Sequence, residues 1–575
     1  MKKKIVRRSV PDNLGSLSLG THPLLQRIYA ARGILSSQEM ERGLERLLPF
    51  ESLLGIERAV SLLTEVLMRQ GKILVVGDFD ADGATSTAVA VRALKSFGAR
   101  EVDFLVPNRF AFGYGLTPEL VEVAKGLKPA LIVTVDNGIA NHAGVDAAKA
   151  AGISVLITDH HLPSASLPQA DAIVNPNQAQ DPFPSKNLAG VGVIFYVMLA
   201  LRRQLLQQNW FTEQNLPEPK MSNLLDLVAL GTVADLVPLD ANNRILVHQG
   251  LGRMRRGFCI PGILALLEVA GKFYQSVTTT DLGFAVAARL NAAGRMDDMS
   301  FGINCLLSDD MGEAREMAIK LNRLNEERRV VEQDMTESAL DILAKFQGKN
   351  IDQLPRGVCL FDPSWHQGVI GILASRIKDR LHRPVIVFAP ASDTELKGSA
   401  RSVPNVHIRD VLANIAAQYP TLIKKFGGHA MAAGLSIDRS AFESFSKAFD
   451  DLLRQKLNEE DLQQWVHSDG ELKEEEFTLS IAEMLEEAGP WGQAFPNPVF
   501  DDVFRLLDQR IVGSKHLKMV LVKGNRQLDA VAFNIDQAQW PNHRCQQIYA
   551  AYRLDINEFR NRRSVQLIVE HMEPC

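Results

Sequence analysis

The sequence predicts an α/β protein whose first large domain is a doubly wound parallel sheet. Three short apolar runs, at residues 72–76, 131–135 and 153–158, each lead into an acidic residue, and such runs are typical of buried parallel strands. Helices are predicted at residues 84–97, 117–126 and 140–151, so strands and helices alternate. In such a sheet ligands bind beyond the carboxyl ends of the strands, where these acidic residues fall.

Length and composition limit the classes of protein to consider. The 575 residues exceed the roughly 250 to 300 that one hydrophobic core supports, so we expect several domains. With 46% hydrophobic and 23% charged residues, the composition is that of an ordinary globular protein rather than a disordered or disulfide-stapled chain. The net charge is −5, so a polyanionic partner would need a local basic groove.

The cysteines and the N-terminus predict a location. The 5 cysteines are scattered without a CxxC pair, which fits neither a zinc site nor a disulfide framework and favours a reducing cytoplasm. The first residues are basic but no apolar segment follows them, and no apolar stretch reaches the roughly 18 residues of a membrane span. We therefore expect a protein that is neither exported nor membrane-spanning.

A long charged helix is predicted over residues 312–346. Apolar residues recur there at three- or four-residue steps, and no proline interrupts them. At about 1.5 Å per residue this helix is about 50 Å long, a length suited to bridging two domains. A second α/β segment follows at residues 356–454, with strands predicted at 357–361 and 385–388.

The C-terminal tail is predicted to form a small barrel. Short strand-like runs lie at residues 499–507, 516–522, 530–533, 547–554 and 564–570. Such a set of strands favours an OB-fold. Two further segments have simpler predictions, because residues 461–476 look helical and residues 207–221 look like a surface loop.

Three alternating carboxylates follow the first predicted strand. Asp78, Asp80 and Asp82 crowd one tight turn, and their repulsion calls for a cation. Oxygen donors from aspartate, joined by imidazole, suit Mg²⁺ or Mn²⁺ rather than a metal that prefers thiolate. The alternative is a calcium-type loop or a solvated turn, but Val89 stands where an EF-hand needs glutamate.

Further acids and histidines fall at the other strand ends. Asp136 follows the second run, and Asp159, His160 and His161 follow the third. Asp235 ends an apolar stretch, where it could instead be a helix cap, and a histidine pair alone is often incidental. Taken together, these groups could hold two divalent ions about 3.5 to 4 Å apart, a spacing suited to activating water against a phosphoester.

Several segments resemble a known family. The motifs DFDADG at residues 78–83, VDNG at 135–138 and DHH at 159–161 resemble the successive motifs of the DHH phosphoesterase superfamily. More closely, the chain resembles the RecJ family of single-strand-specific exonucleases. The further segments that carry this resemblance are LAGVG at 188–192, RLNAAGR at 289–295, HQGVIG at 366–371 and GGH at 427–429. Because these motifs cover nearly the whole chain in order, no single one carries the resemblance.

The resemblance implies a set of metal ligands. The residues that would hold two Mn²⁺ or Mg²⁺ ions are Asp78, Asp80, Asp82, Asp136, His160 and Asp235. Asp136 would bridge the ions and His161 would lie close to the scissile phosphate, with Asp159 beside it in the catalytic group. Where other branches carry a histidine this chain has Val76, so Asp78 would take over that ligand role.

The resemblance also implies a pocket for a terminal 5′-phosphate, which planar guanidinium groups bind well. The candidates are Arg109, Arg289, Arg295, Ser399, Arg401, Gly427, Gly428 and His429. Taken singly, each arginine is more often a surface ion pair. The two glycines could let backbone amides approach a phosphate, but a Gly-Gly turn after a helix is equally a C-cap signal.

Basic residues in the predicted barrel suggest a track for single-stranded DNA. Lys515, His516 and Lys518 cluster around strands, together with Lys523 and Arg526. Residues 560–563 form a basic turn, and Phe533 could stack on a base. The alternative is that these side chains are solvated hairpin tips.

The resemblance implies a division into domains. We expect an N-terminal helical extension (1–60), a catalytic DHH α/β domain (61–305), a connecting helix (306–347), a second α/β domain with the GGH motif (348–455) and an OB-fold-like nucleic-acid-binding domain (456–575). The two α/β domains and the long helix would enclose a channel too narrow for duplex.

The implied activity is hydrolysis of single-stranded DNA from the 5′ end to mononucleotides, by water that two metal ions activate. The implied roles are recombination, repair and mismatch repair. The implied partners are a single-strand-binding protein and a helicase. We expect a cytoplasmic monomer that associates with the nucleoid during repair. The alternative is a relative that acts on short oligonucleotides or small nucleotides, but such enzymes lack the C-terminal tail. A scaffold without catalysis would have lost metal ligands, and this sequence keeps them.

Overall fold

We describe a computed structural model of the chain. It describes residues 3–12, 17, 21–108, 112–346, 355–513, 515–537, 539–559 and 562–575. Arg109 and two residues of the predicted basic turn, Arg560 and Asn561, lie outside the described residues. Within the described ranges, none of the helices combines the length and the apolarity that crossing a bilayer requires.

The N-terminal region joins the C-terminal part of the molecule. It contains strand β1 (Lys4–Arg7) and helix α1 (Pro23–Ala30), followed by short 3₁₀ turns as far as Ser52. Strand β1 pairs in parallel with residues Trp465–Ser468, and Arg7 donates to Asp501 at 2.8 Å. The segment predicted as a helical extension therefore also supplies a strand, which ties the start of the chain to the barrel.

The predicted parallel sheet is confirmed. Its elements are α2 (Ile56–Met68), β2 (Ile73–Val76), α3 (Ala81–Ser96), β3 (Val102–Leu105), α4 (Pro118–Gly126), β4 (Leu131–Val135), α5 (His142–Ala150), β5 (Ser154–Thr158), β6 (Ala172–Val174) and α6 (Gly190–Gln207). All pairs are parallel, in the order β3-β2-β4-β5-β6. Every residue of β2 and β4 is buried, which explains their continuous apolar runs.

Helices complete the first large core. They are α7 (Trp210–Glu213), α8 (Leu225–Ala234), α9 (Ala241–Arg255), α10 (Pro261–Val269), α11 (Thr279–Asp281), α12 (Ala288–Met296) and α13 (Ser300–Leu307), with a π-helical stretch at Leu282–Ala287. The segment predicted as a surface loop at 207–221 is only partly one. It contains α7, whose Trp210 and Phe211 are buried because their rings pack into the core.

The predicted long helix is confirmed as α14 (Met311–Phe346). Its first part buries Ala314, Ala318 and Leu321 in the core of the parallel-sheet domain. Its second part buries Met335 and Leu343 in a core that includes strands of the second α/β domain. One helix is therefore a structural member of two domains.

The second α/β domain has a mixed sheet. Its elements are β7 (Val358–Phe361), α15 (Ile370–Leu381), β8 (Val385–Pro390), β9 (Glu395–Arg401), α16 (Ile408–Gln418), β10 (Lys425–Gly428), β11 (Ala432–Asp438) and α17 (Phe442–Lys456). The strand order is β10-β11-β9-β8-β7, and only β7 and β8 are parallel. Gly427 and Gly428 pair with Gly434 and Ala433, so they belong to an edge strand and not to a helix C-cap.

The C-terminal strands close into the predicted barrel. The elements are β12 (Trp465–Ser468), α18 (Leu479–Glu487), β13 (Phe500–Val512), β14 (His516–Lys523), β15 (Arg526–Ala532), β16 (Gln547–Phe559) and β17 (Arg562–Pro574). The barrel order is β13-β14-β15-β17-β16. The helix expected at 461–476 is wrong, because this stretch holds β12 between two 3₁₀ turns. Pairing with β1 fixes it as a strand, a long-range effect that local composition does not carry.

Candidate metal centre

The carboxyl ends of β2, β4 and β5 bring most of the predicted ligands to one edge of the sheet. The turn after β2 carries Asp78, Asp80 and Asp82, and Asp136 directly follows β4. Asp159, His160 and His161 directly follow β5. Parallel pairing of the three strands in register places these ends side by side.

The turn after β2 is organised by the start of α3. Asp80 is the N-cap, and its Oδ1 accepts from the backbone amides of Asp82 at 3.0 Å and Gly83 at 3.1 Å. The Asp82 carboxylate accepts from the amides of Gly190 at 2.6 Å and Val191 at 3.0 Å, at the start of α6. Two helix N-termini therefore orient two of the predicted ligands.

Asp136 occupies a strained position. Its φ is 60°, a left-handed conformation that is uncommon for residues other than glycine. The Tyr114 hydroxyl donates to its backbone carbonyl at 3.2 Å. A Cβ on Gly190 would lie 2.6 Å from the Cβ of Asp136, so α6 approaches this closely only because residue 190 is glycine. Strain held in this way by neighbours is characteristic of functional sites.

The six predicted ligands and His161 fall into three overlapping groups whose ligand atoms lie within 4.8 Å of one another. The groups are Asp78, Asp80 and Asp136; Asp82, His160 and Asp235; and Asp136, His160 and His161. Asp136 and His160 each belong to two groups, and Asp136 Oδ1 lies 3.1 Å from His160 Nε2. Asp136 therefore links the group at Asp78 and Asp80 to the group at His160 and His161, and His160 links that group to Asp82 and Asp235.

Crowded carboxylates dominate the electrostatics. Burial, reinforced by the charge of Asp235, raises the pKa of Asp82 to about 7. Burial, reinforced by Asp80, raises the pKa of Asp235 to about 7. Burial and then Asp82 also raise the pKa of Asp136, while burial and then His161 lower the pKa of His160. Divalent cations would remove this repulsion and leave the imidazole of His160 neutral, as a ligand must be.

Two atoms test directly whether a metal fits. Asp136 Oδ1 and His160 Nε2 are buried and have no hydrogen-bond partner among the described residues. Asp235 follows the last residue of α8, where the helix dipole disfavours a carboxylate, and its Oδ2 lies 3.4 Å from His160 Nε2. Its position is therefore explained by the cluster rather than by helix capping. The donor set, rich in oxygen with one imidazole, fits Mg²⁺ or Mn²⁺.

Asp159 has a different task from the other carboxylates. Its Oδ1 accepts from the amides of His160 and His161 and lies 2.7 Å from His161 Nδ1, while its Oδ2 accepts from the amide of Ile139. Against the effect of burial, His161 lowers the pKa of Asp159 to about 2, and Asp159 raises the pKa of His161 to about 9. Asp159 therefore orients His161 and, in the metal-free protein, favours its protonated form.

A cleft of about 1240 Å³ opens onto this centre between the two α/β domains. We name it the strand-end cleft, and Asp159 and His161 line one wall. The other wall carries the predicted phosphate-binding residues of the second domain, which are Ser399, Arg401, Gly427, Gly428 and His429. The His429 ring stacks on the His161 ring at a centroid distance of 5.6 Å, so the two motifs meet across the cleft.

The predicted arginines do not all reach the cleft. Arg295 and Arg401 line it, with Arg295 Nη1 donating to Gly368 O at 3.2 Å and Arg401 Nη1 to Ser399 Oγ at 3.1 Å. Arg289 does not line it. Its guanidinium donates to Asn322 of α14 and to the carbonyl of Ala285, so it braces helices instead.

A second cleft, of about 710 Å³, continues beyond the first. Arg295, Gly371 and Arg401 line both clefts, so the two are contiguous. We name it the arginine cleft, because its lining includes Arg295, Arg328, Arg329, Arg376 and Arg401. It also includes Phe284 of the π-helical stretch, 76% exposed, and residues 491–493 on the approach to the barrel.

The predicted track on the barrel is only partly available. Lys515 is exposed, and the His516 ring contacts the Phe533 ring edge-on at 5.2 Å, leaving Phe533 55% exposed. Lys518 lies 4.0 Å from Asp529. Two further basic residues are engaged with the protein, because Lys523 pairs with buried Asp502 and Arg526 donates to the carbonyl of Phe477.

Sequence reasoning missed three features of the site. Tyr114 supports the backbone of Asp136, and its only sequence signal is an aromatic residue between two glycines. Arg328 interrupts the apolar pattern of the predicted long helix, but that interruption alone did not indicate a site. Arg376 belongs to an amphipathic helix, where charged residues ordinarily face solvent.

The class of protein follows from this fold and centre together with sequence comparison. Residues 72–232 match the DHH family, N-terminal domain, residues 354–455 match the DHHA1 domain and residues 468–571 match the RecJ OB domain. A parallel sheet with an Asp-rich centre at its strand ends, followed by these domains, defines a DHH phosphoesterase.

Comparison of the full-length chain with known proteins identifies the family within this class. The chain is 53% identical over 577 residues to the single-stranded-DNA-specific exonuclease RecJ of Escherichia coli (strain K12), covering 100% of each. It superposes on a crystal structure of RecJ from Thermus thermophilus in complex with Mn²⁺ with a TM-score of 0.80 and 28% identity, over 100% of this chain and 80% of that one. The Mg²⁺ complex of RecJ from the same organism gives 0.75 and 26%, over 100% and 78%. The chain belongs to the RecJ family.

Proposed function

We propose that this chain is a metal-dependent exonuclease that hydrolyses single-stranded DNA from the 5′ end to mononucleotides. The observation that carries the proposal is the buried pair of ligand atoms, Asp136 Oδ1 and His160 Nε2, which lack hydrogen bonds within the described residues and neighbour His161, a residue of the cleft lining. Full-length similarity to RecJ exonucleases supports the substrate class.

Two divalent ions bound by the six-residue set would supply activation of water and neutralisation of charge on the phosphate. The ligands would be Asp78, Asp80, Asp82, Asp136, His160 and Asp235. Asp136 and His160 each belong to two of the three groups, and of the two only the carboxylate of Asp136 has two oxygen atoms with which it could contact both ions. The remaining work of the site is positioning and electrostatics, which the chain's own residues provide.

His161 is the residue that would act on the substrate from this side of the cleft. In the metal-free protein, against the effect of burial, the charge and hydrogen bond of Asp159 raise the pKa of His161 to about 9. A protonated imidazole beside the scissile phosphate would donate a hydrogen bond to a nonbridging oxygen. Because Asp159 is itself fixed by three backbone amides, the direction of that bond is set before substrate arrives.

The opposite wall would bind the terminal phosphate. Arg401 lies next to Ser399 on β9, and its guanidinium can contact two phosphate oxygens at once. Gly427 and Gly428 lie on the edge strand β10 of their sheet, where a phosphate can approach the backbone without a side chain in the way. His429 stacks on His161 across the cleft, so the terminal phosphate and the scissile phosphate would be neighbours.

The rest of the strand would leave through the arginine cleft. Its lining includes five arginines, from α12, α14, α15 and β9, and Phe284 offers an exposed aromatic face for a base. Residues 491–493 lead from there towards the barrel, whose Lys515, His516, Lys518 and Phe533 would extend the track. A path between two domains and a long helix would admit one strand and exclude duplex.

The cellular setting belongs to the same proposal. An exonuclease of this kind would act in recombination, repair and mismatch repair, in the cytoplasm at the nucleoid. A helicase would supply single strands, and a single-strand-binding protein would present them. The chain would work as a monomer, because the proposed path is formed by the domains of one chain.

The test is digestion of a long single strand labelled at either end, with a duplex control, in Mn²⁺, Mg²⁺ and EDTA. We expect metal-dependent release of mononucleotides from the 5′ end and no attack on duplex. Release from the 3′ end would contradict the polarity. Cleavage confined to short oligonucleotides would favour the short-substrate relatives and leave the barrel without a role.

A further inference from the structure

A single carboxylate stands among the guanidinium groups of the arginine cleft. Glu332 of α14 is 2% exposed, and it is the only acidic residue among the described residues that line this cleft. A carboxylate that is buried costs free energy unless it is paired, and here it also lowers the positive charge of a wall that would bind a polyanion. Its presence therefore needs a positive reason.

Glu332 contacts arginines from two domains. Its Oε2 accepts from Nη1 of Arg328 at 3.0 Å, one helical turn earlier on α14. Its Oε1 is in ion-pair contact with Nε of Arg376, on α15 of the second α/β domain, but makes no hydrogen bond to any described residue. One buried side chain thus joins the long helix to the domain that carries the phosphate-binding residues.

The two arginines are held to different degrees. The side chain of Arg328 is 10% exposed, and its Nη2 donates to Asn325 Oδ1 at 2.8 Å, so it is fixed at both ends of the guanidinium. The side chain of Arg376 is 56% exposed, contacts Glu332 through Nε and is among the residues that line the cleft. Glu332 therefore sets where a largely exposed guanidinium stands.

We propose that Glu332 is a positioning residue that fixes Arg376, backed by Arg328, where the phosphates of the departing strand cross between α14 and α15. The inference rests on the proposed function. A guanidinium already held by an ionic contact loses less rotamer freedom when it binds phosphate, so the contact strengthens the grip on the strand. The 5′-terminal nucleotides lie in the strand-end cleft and do not depend on it.

The alternative role, that of a counter-charge, predicts the opposite sign. Glu332→Gln removes one negative charge from the wall, so a purely electrostatic role would make a long strand bind more tightly. Loss of positioning would make it bind more weakly. The direction of the change in KM therefore separates the two.

The experiment compares steady-state kinetics of wild type and Glu332→Gln on a long single strand and on a 5′-phosphorylated dinucleotide. We expect KM for the long strand to rise by roughly tenfold, the size of one misplaced charge-assisted hydrogen bond, with kcat retained and the dinucleotide kinetics unchanged. Glu327→Gln, an exposed site on the same helix outside the cleft lining, is the matched control and leaves both substrates unchanged.

Arg376→Ala supplies a second variant, at an exposed side chain, which leaves Glu332 its hydrogen bond from Arg328. Arg376→Ala alone should raise KM for the long strand. Adding Glu332→Gln to it should raise KM by a smaller factor than Glu332→Gln does in the wild type, because the two residues act as a unit. An unchanged or lowered KM in Glu332→Gln, an equal loss on both substrates, or additive effects of the two changes would overturn the inference. Wild type that fails to digest single strands at all would instead overturn the proposed function.

Discussion

The strand-end centre and the barrel surface are both charged, yet they differ in how their charges are satisfied. At the strand ends, five carboxylates of the ligand set crowd together, and two ligand atoms are left without hydrogen bonds to any described residue. On the barrel, Lys523 and Arg526 already have protein partners, and Lys515 remains exposed. Buried polar atoms without partners are costly, whereas exposed charges are cheap.

The difference teaches which charged clusters can be assigned to chemistry. A cluster of buried polar atoms without partners destabilises the fold when no ligand is bound, so the ligand that it binds explains its presence. A basic surface carries no such argument, because water satisfies it. We therefore expect substitutions at the centre to change catalysis greatly and substitutions on the barrel to change binding modestly.

Replacement of Asp136 tests the centre most severely. Asp136→Asn keeps the shape but removes the charge of the residue shared by two ligand groups, and we expect the rate to fall by about a thousandfold or more. Binding of single-stranded DNA should be largely retained, because the arginine cleft and the barrel supply the affinity. The measurement is single-turnover digestion beside a binding titration, and substantial residual activity would contradict a two-ion centre.

Replacement of Arg401 tests the proposed phosphate-binding wall of the second α/β domain. Arg401→Ala should weaken the use of 5′-phosphorylated ends by roughly tenfold to a hundredfold, the size of one charge-assisted bidentate contact. Ends with a 5′-hydroxyl should be much less affected. Arg289→Ala is the matched control, because its guanidinium bonds within the protein and should show no preference between the two ends. Equal losses on both ends in Arg401→Ala would remove it from the phosphate pocket.

How much of this was predictable from sequence depends on how local each signal is. The apolar runs that became β2, β4 and β5 and the acids that end them were readable, because a buried parallel strand is recognisable over a few residues. Strand β9 was not predicted. Its inward residues include Gly398 and Ala400, which are too small to give an apolar pattern, and Phe388 and Leu435 fill the space beside Gly398.

The site shows the same limit. Five of the six ligands sit at strand ends, a position that the sheet converts into proximity, whereas Asp235 follows helix α8 and was implied only by the resemblance. Arg289 was grouped with Arg295 because both lie in one motif, but helix α12 turns their side chains to different neighbours. The contact between Glu332 and Arg376 joins two helices far apart in sequence, and only the packed domains bring it about.

The acidic centre should couple metal binding to pH. In the metal-free protein, burial raises the pKa of Asp82 and Asp235 to about 7, so they hold protons near neutrality that Mn²⁺ must displace. A raised folded pKa contributes stability that is present below the unfolded pKa and is lost as pH rises through about 7. The metal-free protein should therefore have a lower Tm at about pH 8 than at about pH 6.

Addition of Mn²⁺ reverses that loss. We expect its affinity to rise by about tenfold per pH unit for each proton released as pH increases towards about 8, measured by calorimetry in two buffers of different ionisation enthalpy. The gain in Tm on adding Mn²⁺ should be larger at about pH 8 than at about pH 6. A gain in Tm that does not depend on pH would mean that these carboxylates do not bind the ion.

We expect the smallest effects from substitutions on the barrel. There, a lysine that is paired within the protein should affect stability, and an exposed lysine should affect DNA binding. Lys515→Gln should leave Tm unchanged and lower the slope of log affinity for single-stranded DNA against log salt by roughly one phosphate contact. Lys523→Gln should lower Tm and leave the salt slope unchanged, because it leaves the buried carboxylate of Asp502 without its ion pair. If Lys523→Gln lowered the salt slope as much as Lys515→Gln, the paired lysine would reach DNA despite its partner. The contrast between satisfied and unsatisfied charge would then fail on the barrel and hold only at the strand ends.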